Sequence, residues 1–188
     1  MIKFTVQERC GTTAARTGRL QTPHGSIDTP AFMPVGTYGS VKGMRAEDLE
    51  TLGAQVILSN AYHLWERPGL EVIRAVGGLH AFMGWRRPIL TDSGGYQVMS
   101  LAGRRRIDDD GVTFRSPLDG EHRRLTPEAV IEIQATLGVD LAMVLDECVA
   151  SPATREVAAR AVERSQLWAE RSRPLAATLA GGLLGIVQ

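Results

Sequence analysis

The sequence predicts an α/β fold built on a parallel sheet, and three observations carry that prediction. Strand-like and helix-like stretches alternate along most of the chain. The strand stretches, such as Val56-Ile57-Leu58 and Leu141-Ala142-Met143-Val144-Leu145, are runs of apolar residues instead of apolar–polar alternations. Such strands are buried on both faces, as in a sheet covered by crossover helices. Finally, polar residues collect where the strands end, at Asn60, Asp92, Asp146 and Gln188. In a (β/α) barrel those C-terminal strand ends carry the site, and a doubly wound sheet binds its ligand at the same edge. Periodicity leaves both open. Neither Gly36-Thr37-Tyr38-Gly39 nor Gly94-Gly95 completes a Walker A or dinucleotide fingerprint that would favour the second.

Taken in order, residues 2–30 read as short strands joined by turns at Thr12-Thr13, Gly18 and Pro23-His24-Gly25. Thr29 to Val35 is an apolar strand ending at Gly36, and a short helix from about Arg45 to Leu52 is closed by Gly53. The strand at residues 54–60 runs into Ala61-Tyr62-His63-Leu64, a polar and aromatic exit. Residues 68–83 carry a helix with Gly77-Gly78 at its end, and Ile89-Leu90-Thr91 then presents Asp92. Residues 102–125 break the rhythm and read as an inserted hairpin. Thr126-Pro127-Glu128 starts a helix with an N-cap threonine, a first-turn proline and an acid at the positive end. Val130, Ile133, Gln134 and Leu137 follow at helical spacing up to Gly138. The strand at 139–145 is apolar apart from Asp140 and ends in Asp146-Glu147-Cys148. A helix from Thr154, with Val157, Ala161 and Trp168 on one face, stops before Pro174, and Leu183 to Gln188 forms a last strand.

The 188 residues suffice for one domain with a sizeable core. Lysines and arginines number 21, as do aspartates and glutamates, so binding of nucleic acid through bulk charge is excluded while a local basic face is not. Cys10 and Cys148 belong to no paired motif, and the four histidines and two cysteines show no zinc spacing. No disulfide framework is expected, and a reducing compartment fits. With no apolar leader after Met1 and no run long enough to span a bilayer, a cytoplasmic protein without membrane contact is expected.

The chemistry centres on Thr91-Asp92-Ser93-Gly94-Gly95-Tyr96-Gln97. An apolar strand delivers a carboxylate to a glycine turn, where bare backbone lets a ligand come close. Asp92 and Asp146, at the ends of two strands, can converge on one pocket. Paired carboxylates suit acid–base work or attack at an anomeric carbon. A carboxylate also accepts from an N–H beside an amino group, the pattern on the Watson–Crick edge of guanine, and Gln188 can donate to the carbonyl of the same base. Tyr96 offers a face for stacking. Taken singly, each of these residues can also be read as a strand-end cap or a satisfied polar group.

The stretch Thr91 to Ser100 resembles the signature loop of tRNA-guanine transglycosylases. So do Phe32-Met33-Pro34-Val35-Gly36-Thr37, Asn60-Ala61-Tyr62-His63-Leu64, Gly77 to Trp85, Gly111-Val112-Thr113-Phe114, Leu118-Asp119-Gly120 and Asp146-Glu147-Cys148. The resemblance spans nearly the whole chain in order. It implies an irregular (β/α)8 TIM-type barrel, of which residues 1–188 form the N-terminal part of a single domain: about five strands, an N-terminal β segment and the inserted hairpin. The implied activity replaces guanine in tRNA, at the anticodon wobble position, with a 7-deazaguanine in queuosine biosynthesis. It proceeds through a covalent ping-pong mechanism. By resemblance Asp92 is the proton acceptor, Ser93, Gly94, Gly95 and Tyr96 form the substrate loop, and Asp146 reads the purine edge. Gln188, Asn60 and Gln97 are further substrate-binding positions, and Cys148 marks the bacterial subtype. The family's nucleophilic aspartate and its structural zinc site find no match in this chain, so no cofactor or metal is expected on it. The expected partners are tRNA and the guanine and 7-deazaguanine bases, and a homodimer is expected for the full-length enzyme. The alternative is a non-catalytic fragment or partner subunit that binds base or tRNA.

Two lesser signals have plain explanations. Arg104-Arg105-Arg106 is offset by Asp108-Asp109-Asp110, which predicts a solvated hairpin, and Trp65, Trp85 and Trp168 are packing residues.

Overall fold

Four short parallel strands organise the chain in the computed structural model, which describes residues 2–101, 103 and 105–187. Ahead of them, β1 (Lys3–Arg9), β2 (Arg16–Thr22) and β3 (Gly25–Thr29) form an antiparallel sheet in that order. The parallel sheet contains β4 (Ile57–Ser59), β5 (Ile89–Thr91), β9 (Leu141–Met143) and β10 (Gly182–Leu184). Its order is β10-β9-β5-β4, so each strand lies beside its predecessor in the chain. The strand order does not reverse, as it would in a doubly wound sheet. Between β5 and β9, a second antiparallel sheet is inserted: β6 (Arg105–Asp108), β7 (Gly111–Arg115) and β8 (His122–Leu125). The expected hairpin is thus three-stranded; adjacent Arg123 and Arg124 hide the period-two pattern of β8.

Three further expectations change. Residues 29–35 form no full strand: only Val35 bridges to Leu58, with Gly36 N–H donating to Leu58 O (2.7 Å) and Leu58 N–H to Pro34 O (3.0 Å). Pro30 and Pro34 lack N–H donors, which limits pairing here, and Phe32 is 84% exposed. The helix over 68–83 is two helices, α3 (Leu70–Ala75) and α4 (Leu79–Met83). They are split at Gly77 and Gly78, whose φ angles of 95° and 99° no helix contains. Helical turns also follow two strand ends directly, as α2 (Ala61–Glu66) and α5 (Gly95–Met99).

The remaining helices form as their residues direct. After α1 (Ala46–Thr51), α6 (Pro127–Leu137) is capped by Thr126, whose hydroxyl accepts from Ala129 N–H at 3.2 Å. It buries Val130, Ile131, Ile133 and Leu137, each worth roughly 1.5–3 kcal/mol by transfer from water. Helix α7 (Arg155–Ser172) buries Ala161, Ser165, Trp168 and Ser172, while Val157, expected on that face, is half exposed. A 3-10 turn (Arg173–Thr178) ends it at Pro174.

The two faces of the parallel sheet differ. Ile57, Ile89 and Ala142 point into the main core with Trp85, Ile131, Leu137 and Trp168. Val56, Leu90 and Leu141 point the other way into a smaller cluster with Ile27, rimmed by half-buried Leu58, Met143 and Leu184. Two buried polar residues tie the strands together. Gln134 accepts from Thr91 Oγ1 (2.9 Å) and Met143 N–H (2.8 Å), and it donates to Met143 O (2.9 Å) and Val130 O (3.2 Å). At the opposite end of the strands, Asp140 accepts from Ile89 N–H, His24 N–H, His24 Nδ1 and His80 Nε2 at 2.9–3.1 Å. Burial works against its ionisation, but the hydrogen bonds from His80, Ile89 and His24 prevail and hold the carboxyl well below the usual carboxylate range.

Candidate active site

Asn60, Asp92 and Asp146 stand just past the C-terminal ends of β4, β5 and β9, as the strand pattern implies. A glycine loop joins them. Gly94 has a φ of 80°, and a Cβ there would lie 2.8 Å from the Tyr62 Cβ. At Gly95 a Cβ would lie 2.8 Å from both the carbonyl oxygen and Oδ1 of Asp146. The loop after Asp92 therefore lies between Tyr62 and Asp146, in space that no side chain can share. This close packing sets Asp146 against the loop that follows Asp92, although the two acids are 54 positions apart in the chain.

Asp92 is held from several sides. Oδ1 accepts from Ala61 N–H (2.9 Å), while Oδ2 accepts from Asn60 Nδ2 (2.5 Å) and Gln97 Nε2 (2.8 Å). A carboxylate offers about four acceptor positions, so the geometry is fixed with room for one further partner. Asn60 and Gln97, expected as substrate contacts, spend their amide N–H groups on Asp92. Ser93 is buried, and its hydroxyl accepts from Gly95 N–H at 3.2 Å. Tyr96 is 72% exposed at the start of α5, free to meet a planar ligand. Gln188 lies outside the described residues.

Asp146 is buried, and Cys148 Sγ donates to its Oδ2 at 3.3 Å. Burial first, and then the Asp146 charge, push the Cys148 thiol up to about 12, so it stays protonated near neutrality and is no nucleophile. The next side chain, Glu147, points away to pair with Arg164. Beside α2 an apolar pocket of about 480 Å³ is lined by Tyr38, Tyr62, His63, Glu66, Pro117 and Leu118, among others.

Sequence reasoning missed Gln134 as a support for the site. Its bond to Thr91 fixes the residue before Asp92, and the available signal was a glutamine on the apolar face of α6. Among the described residues, His24, His80 and Asp140 form the one group of His, Cys, Asp or Glu spaced for a metal ion. It contains no cysteine, lies at the far end of the strands, and its carboxylate oxygens already accept four N–H bonds. It does not fit the cysteine-rich zinc site that the resemblance implies.

Comparison with known proteins shows similarity along the whole chain. The family model for queuine tRNA-ribosyltransferase matches residues 10–188. A queuine tRNA-ribosyltransferase of Neisseria meningitidis serogroup C is 52% identical over 100% of this chain and 51% of its own length. That of Moorella thermoacetica is 57% identical over 90% of this chain and 45% of its own. That of Thermus thermophilus is 54% identical over 99% and 48%. The chain thus spans about half the length of the curated relatives it matches. With Asp146 packed against the glycine loop that follows Asp92 and such similarity from end to end, the chain belongs to the queuine tRNA-ribosyltransferase family.

Proposed function

We propose that this protein exchanges a guanine base of tRNA for a 7-deazaguanine, and that these residues form the base-reading side of the site. The observation that carries the proposal is the convergence of Asp92 and Asp146 on the Gly94–Gly95 loop. Asp146 accepts from the N–H and amino group of the purine edge, and Tyr96 stacks on the ring. Asp92 takes the proton from the incoming base, which then attacks the ribose anomeric carbon and displaces the carboxylate bonded there in the preceding step. Asn60 and Gln97 orient that carboxylate, and Gln188 donates to the base carbonyl. The preceding step, in which guanine leaves as a carboxylate bonds to the sugar, needs an aspartate that the family resemblance does not place in this chain. The same holds for the residues of the structural zinc site.

The sequential parallel sheet is read as an arc of a (β/α)8 barrel, with Val35, β4, β5, β9 and β10 as successive wall positions. On this proposal the Leu58, Leu90 and Leu141 face is the barrel interior. A second proposal is that these residues bind base or tRNA while a different chain supplies the nucleophile; a homodimer is proposed only for the full-length enzyme. The full-length protein should incorporate labelled guanine into tRNA, and Asp146→Ala should raise the KM for guanine about 100-fold. An unaltered KM would remove Asp146 from base recognition.

A further inference from the structure

The inserted sheet carries a charged feature apart from the two site aspartates. The run of three aspartates does not neutralise Arg105 and Arg106, because the fold draws the acids elsewhere; Arg104 lies outside the described residues. Asp108 pairs with Arg124 at 3.1 Å and Asp109 with Arg164 at 3.1 Å. Asp110 is reached by Arg124 at 3.7 Å and Arg171 at 3.5 Å. Arg123 is likewise taken up, by Glu66 and Asp119. Arg105, Arg106 and Arg115 are left without an ion pair among the described residues, and Nη1 of Arg105 is buried with no hydrogen-bond partner. The hairpin is solvated as expected, but the expected offset of Arg105 and Arg106 by Asp108-Asp109-Asp110 does not form among the described residues.

Pairing register gathers these cations. Arg106 lies opposite Thr113, and Arg115 opposite His122. Alternate residues of a strand share a face, so Arg106, Thr113, Arg115 and His122 project from one side, where all three basic residues are exposed. Together with Arg105 they line a groove of about 740 Å³ that has no carboxylate on its walls. Pro117 lines both this groove and the apolar pocket beside Tyr62 and His63, in the helix that follows Asn60. The groove thus adjoins that pocket, whose Tyr62 packs against Gly94 of the Asp92 loop.

We propose that this groove binds the phosphodiester backbone of RNA, holding the strand whose base enters the site. Guanidinium forks match phosphate oxygens, and cations spread along a groove fit a chain of phosphates better than one compact anion. The neutral net charge means that such binding must be local, as it is here. This inference rests on the tRNA reading above, and its test separates the two.

In the full-length protein, the double substitution Arg106→Ala with Arg115→Ala changes two exposed side chains and should leave thermal melting and guanine affinity as they are. Fluorescence anisotropy with tRNA across a salt series should show affinity weakened by about tenfold or more. The slope of log K against log salt should fall by about 0.7 for each phosphate that the variant no longer neutralises. An equal Kd and an equal slope would overturn the groove. An RNA of the same length without guanine should show the same arginine dependence, which supports the groove even where no base exchange is detected. Tripolyphosphate displacing RNA at equal concentration of charge would mark a site for a compact anion and overturn the RNA assignment.

Discussion

Asp92 owes its position to neighbours that the sequence does not announce. Asn60 is 32 residues away and Gln97 five, yet both amides donate to the same oxygen. The loop containing Asp92 and its acidic partner Asp146 were legible, because a strand run ending in an acid is a local pattern. The work of Asn60 and Gln97 was not, since a cross-strand hydrogen bond leaves no periodic trace. If they orient Asp92, Asn60→Ala or Gln97→Ala should lower kcat by roughly 10–100-fold. Guanine affinity should hold within a few fold; a large loss of affinity with kcat intact would assign them to the base instead. Cys148 yields a second residue-scale expectation. Its protonated, half-buried thiol should resist iodoacetamide at pH 8 while exposed Cys10 is modified, as read by peptide mass. Equal labelling of the two would contradict the thiol's attachment to Asp146.

At the scale of elements, two buried side chains hold strands in place from opposite ends. Gln134→Leu keeps most of the volume but strands Thr91 Oγ1 and the Met143 N–H and carbonyl. It should cost about 2–4 kcal/mol in denaturant unfolding, and a loss under about 0.5 kcal/mol would mean the network is dispensable. Asp140 links stability to pH. Its folded-state carboxyl titrates below the unfolded value of about 3.9, so its contribution is full above about pH 5 and fades as pH falls through 4 and below. Asp140→Asn should lower stability at neutral pH and flatten this acid limb; an unchanged limb would place the acid sensitivity elsewhere. Gln134 and Asp140 were visible as polar letters in apolar runs, but their partners were not. The helices were legible where caps and glycines mark them, as at Thr126 and Gly138. Expectation failed at Pro30 and Pro34, which reduce an apolar strand to one bridge, and at Gly77-Gly78, which divide a helix.

The whole molecule combines a well-filled helical face with a second sheet face that is only half covered. Leu58, Met143 and Leu184 border that second face, and beside α1 Phe32 and Leu52 are exposed at 84% and 73% around a separate hollow. The α/β class and the parallel sheet were legible from continuous apolar runs. The sequential strand order was not, because periodicity is the same in a barrel and a doubly wound sheet. Charge was the least legible property at this scale. Adjacent runs of arginine and aspartate cancel on paper, whereas in space the acids bind Arg124, Arg164 and Arg171 and leave a basic groove. No helix among the described residues is long and apolar enough to cross a membrane.

Asp92, as the group that takes a proton from the base, is the centre of the proposed chemistry. The most direct measurement is labelled-guanine incorporation into tRNA by the full-length protein carrying Asp92→Asn, an isosteric change that keeps the Ser93–Gly95 loop. Loss of turnover by a factor on the order of 10²–10⁴, with guanine still bound and the fold intact, is the predicted result. Exchange at the unsubstituted rate would contradict it and remove Asp92 from the chemistry.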